Sequence, residues 1–214
     1  MNIASSRTPS GPKPKLKPHQ YATKGTALQK HVSFWDRNKD GIIYPWESHA
    51  GFRALGFNFL ISITSALAFH ILHVSYPTSP YWIPDPRFPV YLENIHWAKH
   101  GSDTESFDEE GNFNEGKFEH IFEKYDRDQK QGLYFSEIVD MWRGNRNVFD
   151  FVGWAFQVFL WSYLWMLAAD EAGVLHKSDV RRQYDGSLYY EIERRRKMGE
   201  RLPWWRGGAL FGIL

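Results

Sequence analysis

The residues whose types and spacing best suit a defined chemistry lie in DRNKDGIIYPWE, from Asp36 to Glu47. Asp36, Asn38 and Asp40 stand at loop positions one, three and five, Gly41 at six and Glu47 at twelve. That order suits Ca2+, a hard cation that takes about six to eight oxygen ligands. Two carboxylates and an amide supply three ligands, the Ile42 carbonyl a fourth, and Glu47 both its oxygens. Tyr44, at position nine, contributes through its carbonyl or a water. Gly41 makes the sharp turn between the halves of the cage. Pro45 is unusual in such a loop, but its ring fixes only φ and leaves Glu47 able to swing inward.

Other chemistry has fewer candidates. The chain has no Cys, so disulfides and thiolate chemistry are excluded. HExxH, GxSxG, GxxxxGK and dinucleotide-binding patterns are missing as well. Nine His remain. His96 and His100 fall four apart in YLENIHWAKH, on one face of an expected short helix, yet no third ligand has matching spacing. Haem would need only one or two axial imidazoles and an apolar wall. The composition offers the wall without identifying haem.

The elements that must position these groups are mostly helical. A helix over 25–35 enters the loop, and GFRALGF begins the helix that leaves it. From Ala54 to Pro84 there is no Asp, Glu, Lys or Arg. The segment Leu55 to Ser75 is long enough to cross a bilayer core of about 30 Å. Its polar residues, among them His70 and His73, lower its hydrophobicity. Five prolines follow, at 77, 80, 84, 86 and 89, with aromatic rings between them. An apolar arm ending in such a reversal suits a hairpin dipped into one leaflet; a soluble core helix with a rigid loop is the alternative. Residues 101–116 read as an acidic, glycine-rich loop. The helix–loop–helix rhythm then repeats around Asp126, Asp128 and Glu137, but Lys130 stands at position five and Gln131 at the glycine position. We read a degenerate unit that pairs structurally with the first. Residues 151–169 carry no charge. A membrane span, a buried helix and an interfacial helix all fit their length. Their Trp154, Trp161 and Trp165 make an aromatic face that suits either core packing or the wall of an apolar cavity.

The ends are basic. Residues 1–30 hold six Lys or Arg and no acid, and read as a flexible arm. Net charge is only +1, which gives no argument for nucleic acid. Aromatics reach 17% with ten Trp, which implies a large core, an interface or a membrane boundary.

LQKHVSFWDRNKDGIIYPWE, GFRALGFN, the proline cluster, NIHWAKHGSD, GNRNVFDFVGW and DGSLYYE resemble, in this order, the caleosin family of Ca2+-dependent peroxygenases. The resemblance implies one Ca2+ site on Asp36, Asn38, Asp40, Ile42, Tyr44 and Glu47. It implies a b-type haem bound through His31 and His100, with His96 a third catalytic candidate. One imidazole would be proximal and the other a distal ligand or acid–base, in an order left open. A proline knot falls on Pro77, Pro80, Pro84 and Pro89. The implied reaction uses a fatty-acid hydroperoxide to oxygenate an unsaturated lipid or other acceptor. The implied location is the cytosolic face of lipid droplets and endoplasmic reticulum. A homo-oligomer remains open, and a non-enzymatic Ca2+-binding protein of lipid droplets is the alternative. His31 precedes Asp36 by five residues, so loop closure has a route to the haem ligand.

The expected fold is therefore mainly α, built round one functional and one degenerate EF-hand-like unit with a hydrophobic arm and proline knot. The expected divisions are a flexible basic arm (1–24), a Ca2+-binding unit (25–53) and the arm and proline knot (54–90). A degenerate unit with the helical haem region (91–193) and a basic, Trp-containing tail (194–214) follow.

Overall fold

The computed structural model describes residues 16–209. Residues 1–15 of the expected basic arm and 210–214 of the expected tail lie outside the described residues.

The fold is mainly helical. Helices α1 (Tyr21–Lys24) and α2 (Ala27–Val32) precede β1 (Ile42–Ile43) and α3 (Pro45–Ala54). Helices α4 (Phe59–Phe69) and α5 (Ser75–Thr78), joined by a π-helical turn over His70–Val74, lead to β2 (Val90–Tyr91) and a 3-10 segment, Leu92–Ala98. Then come α6 (Glu115–Tyr125), β3 (Gly132–Tyr134), α7 (Phe135–Gly144) and α8 (Phe151–Ala168). The chain ends in β4 (Val174–His176), α9 (Lys177–Tyr184), α10 (Ser187–Lys197) and a last 3-10 turn at Trp204–Arg206. One hydrophobic core, from Tyr21 and Phe34 to Ile192 and Leu202, draws on most of these elements, α5 and the last turn excepted.

The entering helix is shorter than the expected 25–35. Thr26 caps α2 in a reciprocal box with Gln29. At its other end the Ser33 hydroxyl donates to the Lys30 carbonyl at 2.7 Å, and the chain turns into Trp35. The pairing of the two loops also differs from expectation. β1 pairs antiparallel with β2, and β3 with β4, so neither loop is bonded to the other. Each short strand finds its partner in a later stretch that the sequence does not mark as a loop of the same kind.

The apolar arm has its polarity inverted. Gly56, at φ 100°, breaks the chain after α3, and Asn58 caps the new helix by accepting from Ile61 N. From there the buried side is mostly small or polar: Ser62, Ser65, Ala66, His70, Ser75 and Thr78, with Val74 the larger apolar exception. The exposed side carries Phe59, Leu60, Leu67 and Ile71. The proline segment turns back along this helix. Its Phe88 carbonyl accepts from His70 Nδ1 at 2.6 Å and its Pro89 carbonyl from Ser75 Oγ at 2.9 Å. Because a carbonyl only accepts, His70 carries its proton on Nδ1, and Nε2 accepts from the Ser48 hydroxyl at 2.8 Å. His70 thus joins α3, the arm and the proline segment. Nothing is described of the His73 side chain.

Burial holds the His70 pKa down to about 4 from 6.5, against the raising effect of the Phe88 carbonyl. The unfolded chain therefore binds the extra proton first, and this contribution is full above pH 6.5 and lost as pH falls toward 4. We expect His70 to remove on the order of 3 kcal/mol of stability across that window. Urea unfolding at stepped pH should show a steeper slope for the wild type than for His70→Gln; parallel slopes would overturn the assignment.

Candidate functional site

Two histidines far apart in the chain line one cavity of about 130 Å³. His31 reaches it from α2 and His100 from just after the 3-10 segment. Its walls are largely apolar and aromatic: Phe69 and Val74 from the arm, Phe107, then Phe156, Trp161 and Leu164 from α8. Of the three tryptophans on α8, only Trp161 lines this cavity. Trp154 donates to the Asn147 carbonyl at 2.8 Å and Trp165 to that of Gly173 at 2.9 Å.

His31 is locked as a neutral donor of one defined lone pair. Its Nδ1 donates to the Gln183 carbonyl of α9 at 2.6 Å, which leaves the lone pair on Nε2. The Gln183 amide lies 3.5 Å from that nitrogen. Burial lowers the His31 pKa to about 4, outweighing the Gln183 carbonyl and the charge of Asp185. Tyr189 of α10 and Phe107 set the ring, with centroids at 5.3 and 6.1 Å.

His100 has a different partner. Its Nδ1 lies 3.4 Å from Asp150 Oδ2. Asp150 also accepts from Ser102 N at 2.9 Å and, through Oδ1, from Gly153 N at 3.0 Å, so it caps α8 while it holds the His100 segment. His96 does not join the pair. It lines an outer hollow with Lys99, His100 and Glu109, not the cavity.

The donor chemistry fits a haem: two imidazoles, each with Nδ1 beside an oxygen partner, in an aromatic wall. Space is the narrower requirement. Pockets for drug-sized ligands run to about 300–1,000 Å³, so a macrocycle needs these walls to part. The 3-10 segment and the irregular stretch 99–114 form the side without a long helix.

Sequence reasoning missed four groups. Gln183 and Asp150 hold the histidines, and Gln157 is a buried amide in the α8 wall. Asp103 is the one carboxyl among the described lining residues. Burial pushes its pKa up, against Glu105 N–H, Lys99 and His100. Asp150 is legible as a cap before an apolar run, but its contact with His100 is not.

In the first loop, Asp36 and Glu47 are buried. Glu47 accepts from the backbone N–H groups of Arg37, Asn38 and Tyr44. Asp36 accepts from Asp40 N and Gly41 N, and Asp40 from Ile42 N. No side-chain cation lies among these acids within ion-pair distance among the described residues: Lys39 Nζ turns away to the Ser33 carbonyl at 2.6 Å. Buried carboxylates without a countercharge suit a bound cation. Arg37 then ties the loop to α10 through both terminal guanidinium nitrogens, which donate to Glu193 at 2.9 and 3.3 Å.

The second loop has the same backbone plan and a different centre. Glu137 accepts from Arg127 N and Tyr134 N, and Asp126 from Lys130 N and Gln131 N. Gln131 takes φ 59° where Gly41 has 87°, so the turn survives without glycine at a cost of about 1 kcal/mol. Asp126, Asp128 and Glu137 converge as metal ligands would. Lys130 Nζ stands among them, at 3.1, 2.6 and 2.7 Å respectively. Its ammonium takes the cation's place.

The sequence model of the caleosin family, "Caleosin related protein", matches residues 23–193. A Lilium longiflorum protein named "Peroxygenase" is 46% identical over 171 residues, 80% of this chain and 71% of the relative. "Probable peroxygenase 4" of Arabidopsis thaliana is 41% identical over 169 residues, 79% of this chain and 86% of the relative. A second Arabidopsis protein, "Probable inactive peroxygenase-like protein", is 36% identical over 146 residues, covering 68% and 69%. No solved structure matches the chain.

Proposed function

The chain belongs to the caleosin family, and from that premise we propose that it is a Ca2+-dependent haem peroxygenase. It uses fatty-acid hydroperoxides to oxygenate unsaturated fatty acids or other acceptors at a lipid surface. The observation that carries this reading is the meeting of His31 and His100 on one aromatic cavity.

A bound haem supplies cleavage of the hydroperoxide O–O bond and transfer of one oxygen. The side chains divide the remaining work. His31 is the residue that would hold the haem iron: burial keeps it neutral and the Gln183 carbonyl directs its lone pair to Nε2, which the Gln183 amide meets at 3.5 Å. A group that resists a proton down to pH 4 is a poor acid–base at neutral pH. His100 suits that second role, because the Asp150 carboxylate can hold the ring as Nε2 takes the hydroperoxide proton and returns it to the alcohol. Asp103, whose acid form burial favours, is a further proton holder beside it. Phe107, Phe156 and Trp161 exclude water from the reacting oxygen.

Asp36, Asn38, Asp40, Ile42, Tyr44 and Glu47 hold Ca2+ in this reading. Two connections from the loop lead to His31: the turn through Trp35 into α2, and Arg37–Glu193 into α10, whose Tyr189 lies on the His31 ring. Glu47→Gln should weaken Ca2+ affinity by about two orders of magnitude, read by calorimetry. Titration of the wild type with Ca2+ and EGTA should move the Soret band and the rate; unchanged values would sink the coupling.

The exposed side of α4, with Trp82 and Ile83 at 93% and 81% exposure on the returning segment, supports contact with a lipid surface. The hydrogen-bonded inner side argues for lying along that surface. Helix α8 is long and apolar enough to cross a membrane, and a third of it is buried in the fold.

The likeness to a relative named as inactive favours a second reading, a non-enzymatic Ca2+-binding protein of lipid droplets. One experiment separates them. Purified protein supplied with haem should show a Soret band and hydroperoxide-dependent epoxidation; colourless, inert protein would support the second reading.

A further inference from the structure

Beside the cavity, α7 and α8 enclose a second hollow of about 590 Å³. Its walls include Trp142, Phe151, Trp154 and Val158, and Arg143 and Arg146 stand among them. One residue, Gln157, lines both this groove and the histidine cavity. It is a buried amide, 8% exposed, on a helix whose other polar side chains are Ser162 and Tyr163.

The charges of the groove are only partly answered. Arg143 lies 3.8 Å from Asp140, an acid that Arg127 also engages. Arg146 has no carboxylate within ion-pair distance among the described residues. Its guanidinium lies 5.7 Å from the Trp154 ring centroid, which holds it beside the apolar wall. The indole N–H of Trp142 is buried without an acceptor. An aromatic series runs from exposed Phe149 to Phe151 at 6.5 Å and on to Trp154 at 4.9 Å.

We propose that this groove is the acyl subsite and that it reads a free carboxylate: Arg143 and Arg146 hold the head group while the chain passes Gln157 toward His31 and His100. Its tie to catalysis rests on the peroxygenase reading; binding of the ligand does not. Charge complementarity selects the occupant. A neutral acyl ester offers no charge to Arg146, whereas a long-chain carboxylate pairs with it, adds a second acid beside Arg143 and covers the aromatic wall. The Trp142 N–H offers a donor to an oxygen on the same ligand. Phe149 and Phe151 give the chain an apolar route in from outside.

The test compares oleate with methyl oleate on haem-loaded wild type and on the Arg143→Gln/Arg146→Gln double variant. Calorimetric oleate affinity should fall about tenfold or more in the variant, with methyl oleate affinity and the Soret band unchanged. If turnover is present, KM for a free hydroperoxy acid should rise at constant kcat, and KM for its methyl ester should not. If turnover is absent, the calorimetric comparison still decides the subsite. Equal losses for acid and ester, or unchanged oleate affinity, would overturn the proposal. Variant protein that loses binding to phosphatidylserine–phosphatidylcholine vesicles while keeping its oleate affinity would do the same, and would assign the arginines to the lipid surface.

Discussion

Replacing His31 by alanine should abolish the Soret band of the haem-loaded protein and its peroxygenase activity together, whereas His100→Gln should keep the band and lose turnover. The asymmetry follows from the partners of the two rings. His31 is fixed on a backbone carbonyl and buried, and its proposed task is to donate one lone pair. Alanine removes that donor and leaves an apolar gap. The Ca2+ affinity of the first loop should stay within about threefold, because the six ligands proposed for it are untouched. His100 faces a carboxylate, and its proposed task is to move a proton. Removing a positioned acid–base lowers rates by about 10²–10⁴-fold. Glutamine keeps polarity and much of the volume, so the cavity should survive. Optical titration with haem and single-turnover reduction of a hydroperoxide measure the two effects separately. If His100→Gln lost the band and His31→Ala kept it, the two roles would be exchanged.

The second large effect is expected at Lys130. Its ammonium sits among Asp126, Asp128 and Glu137, and its side chain is 14% exposed against 3% and 5% for Asp126 and Glu137. The cluster raises the Lys130 pKa, with the hydrogen bonds to the three acids overcoming burial. Lys130→Ala leaves two buried carboxylates without a cation. Breaking a buried pair in this way costs about 3–5 kcal/mol, and we expect about 3 here because the Asp128 leg is exposed. That corresponds to roughly 6–12 °C in Tm for a chain of this size. The same vacancy should accept a divalent ion, so millimolar Ca2+ should restore part of the loss in Lys130→Ala and do little at this loop in the wild type. Thermal unfolding in EGTA and in Ca2+ tests both halves. A variant as stable as the wild type in EGTA would remove the internal-cation account.

The consequence of that lock reaches the site. β3, which carries the loop, pairs with β4, and β4 leads directly into α9, where Gln183 holds His31 and Tyr184 lines the cavity. Burial pushes the Tyr184 phenol up to about 12, and its hydroxyl meets Thr104 at 2.7 Å across the cavity wall. One half of the protein is thus closed by its own lysine, while the other half keeps an acid cage without an internal cation.

By itself the sequence determined what short-range spacing controls. The ligand order from Asp36 to Glu47, the turn at Gly41 and the uncharged run of α8 are all local, because backbone geometry relates residues a few positions apart. Family resemblance added His31 and His100 as a pair, and the family itself is borne out over residues 23–193. Other features depended on the tertiary structure, because they join residues distant in the chain. The loops pair with later strands rather than with each other, since two-residue and three-residue strands carry too little pattern to specify a partner. The arm turns its serines inward and Phe59, Leu60 and Leu67 outward, and the partners of His70 and Ser75 lie in the returning proline segment. Lys130 reads in sequence as a missing ligand, and only the folded loop shows it as a cation. Gln183 beside His31, Asp150 beside His100 and Gln157 between two hollows likewise exist only once the helices pack.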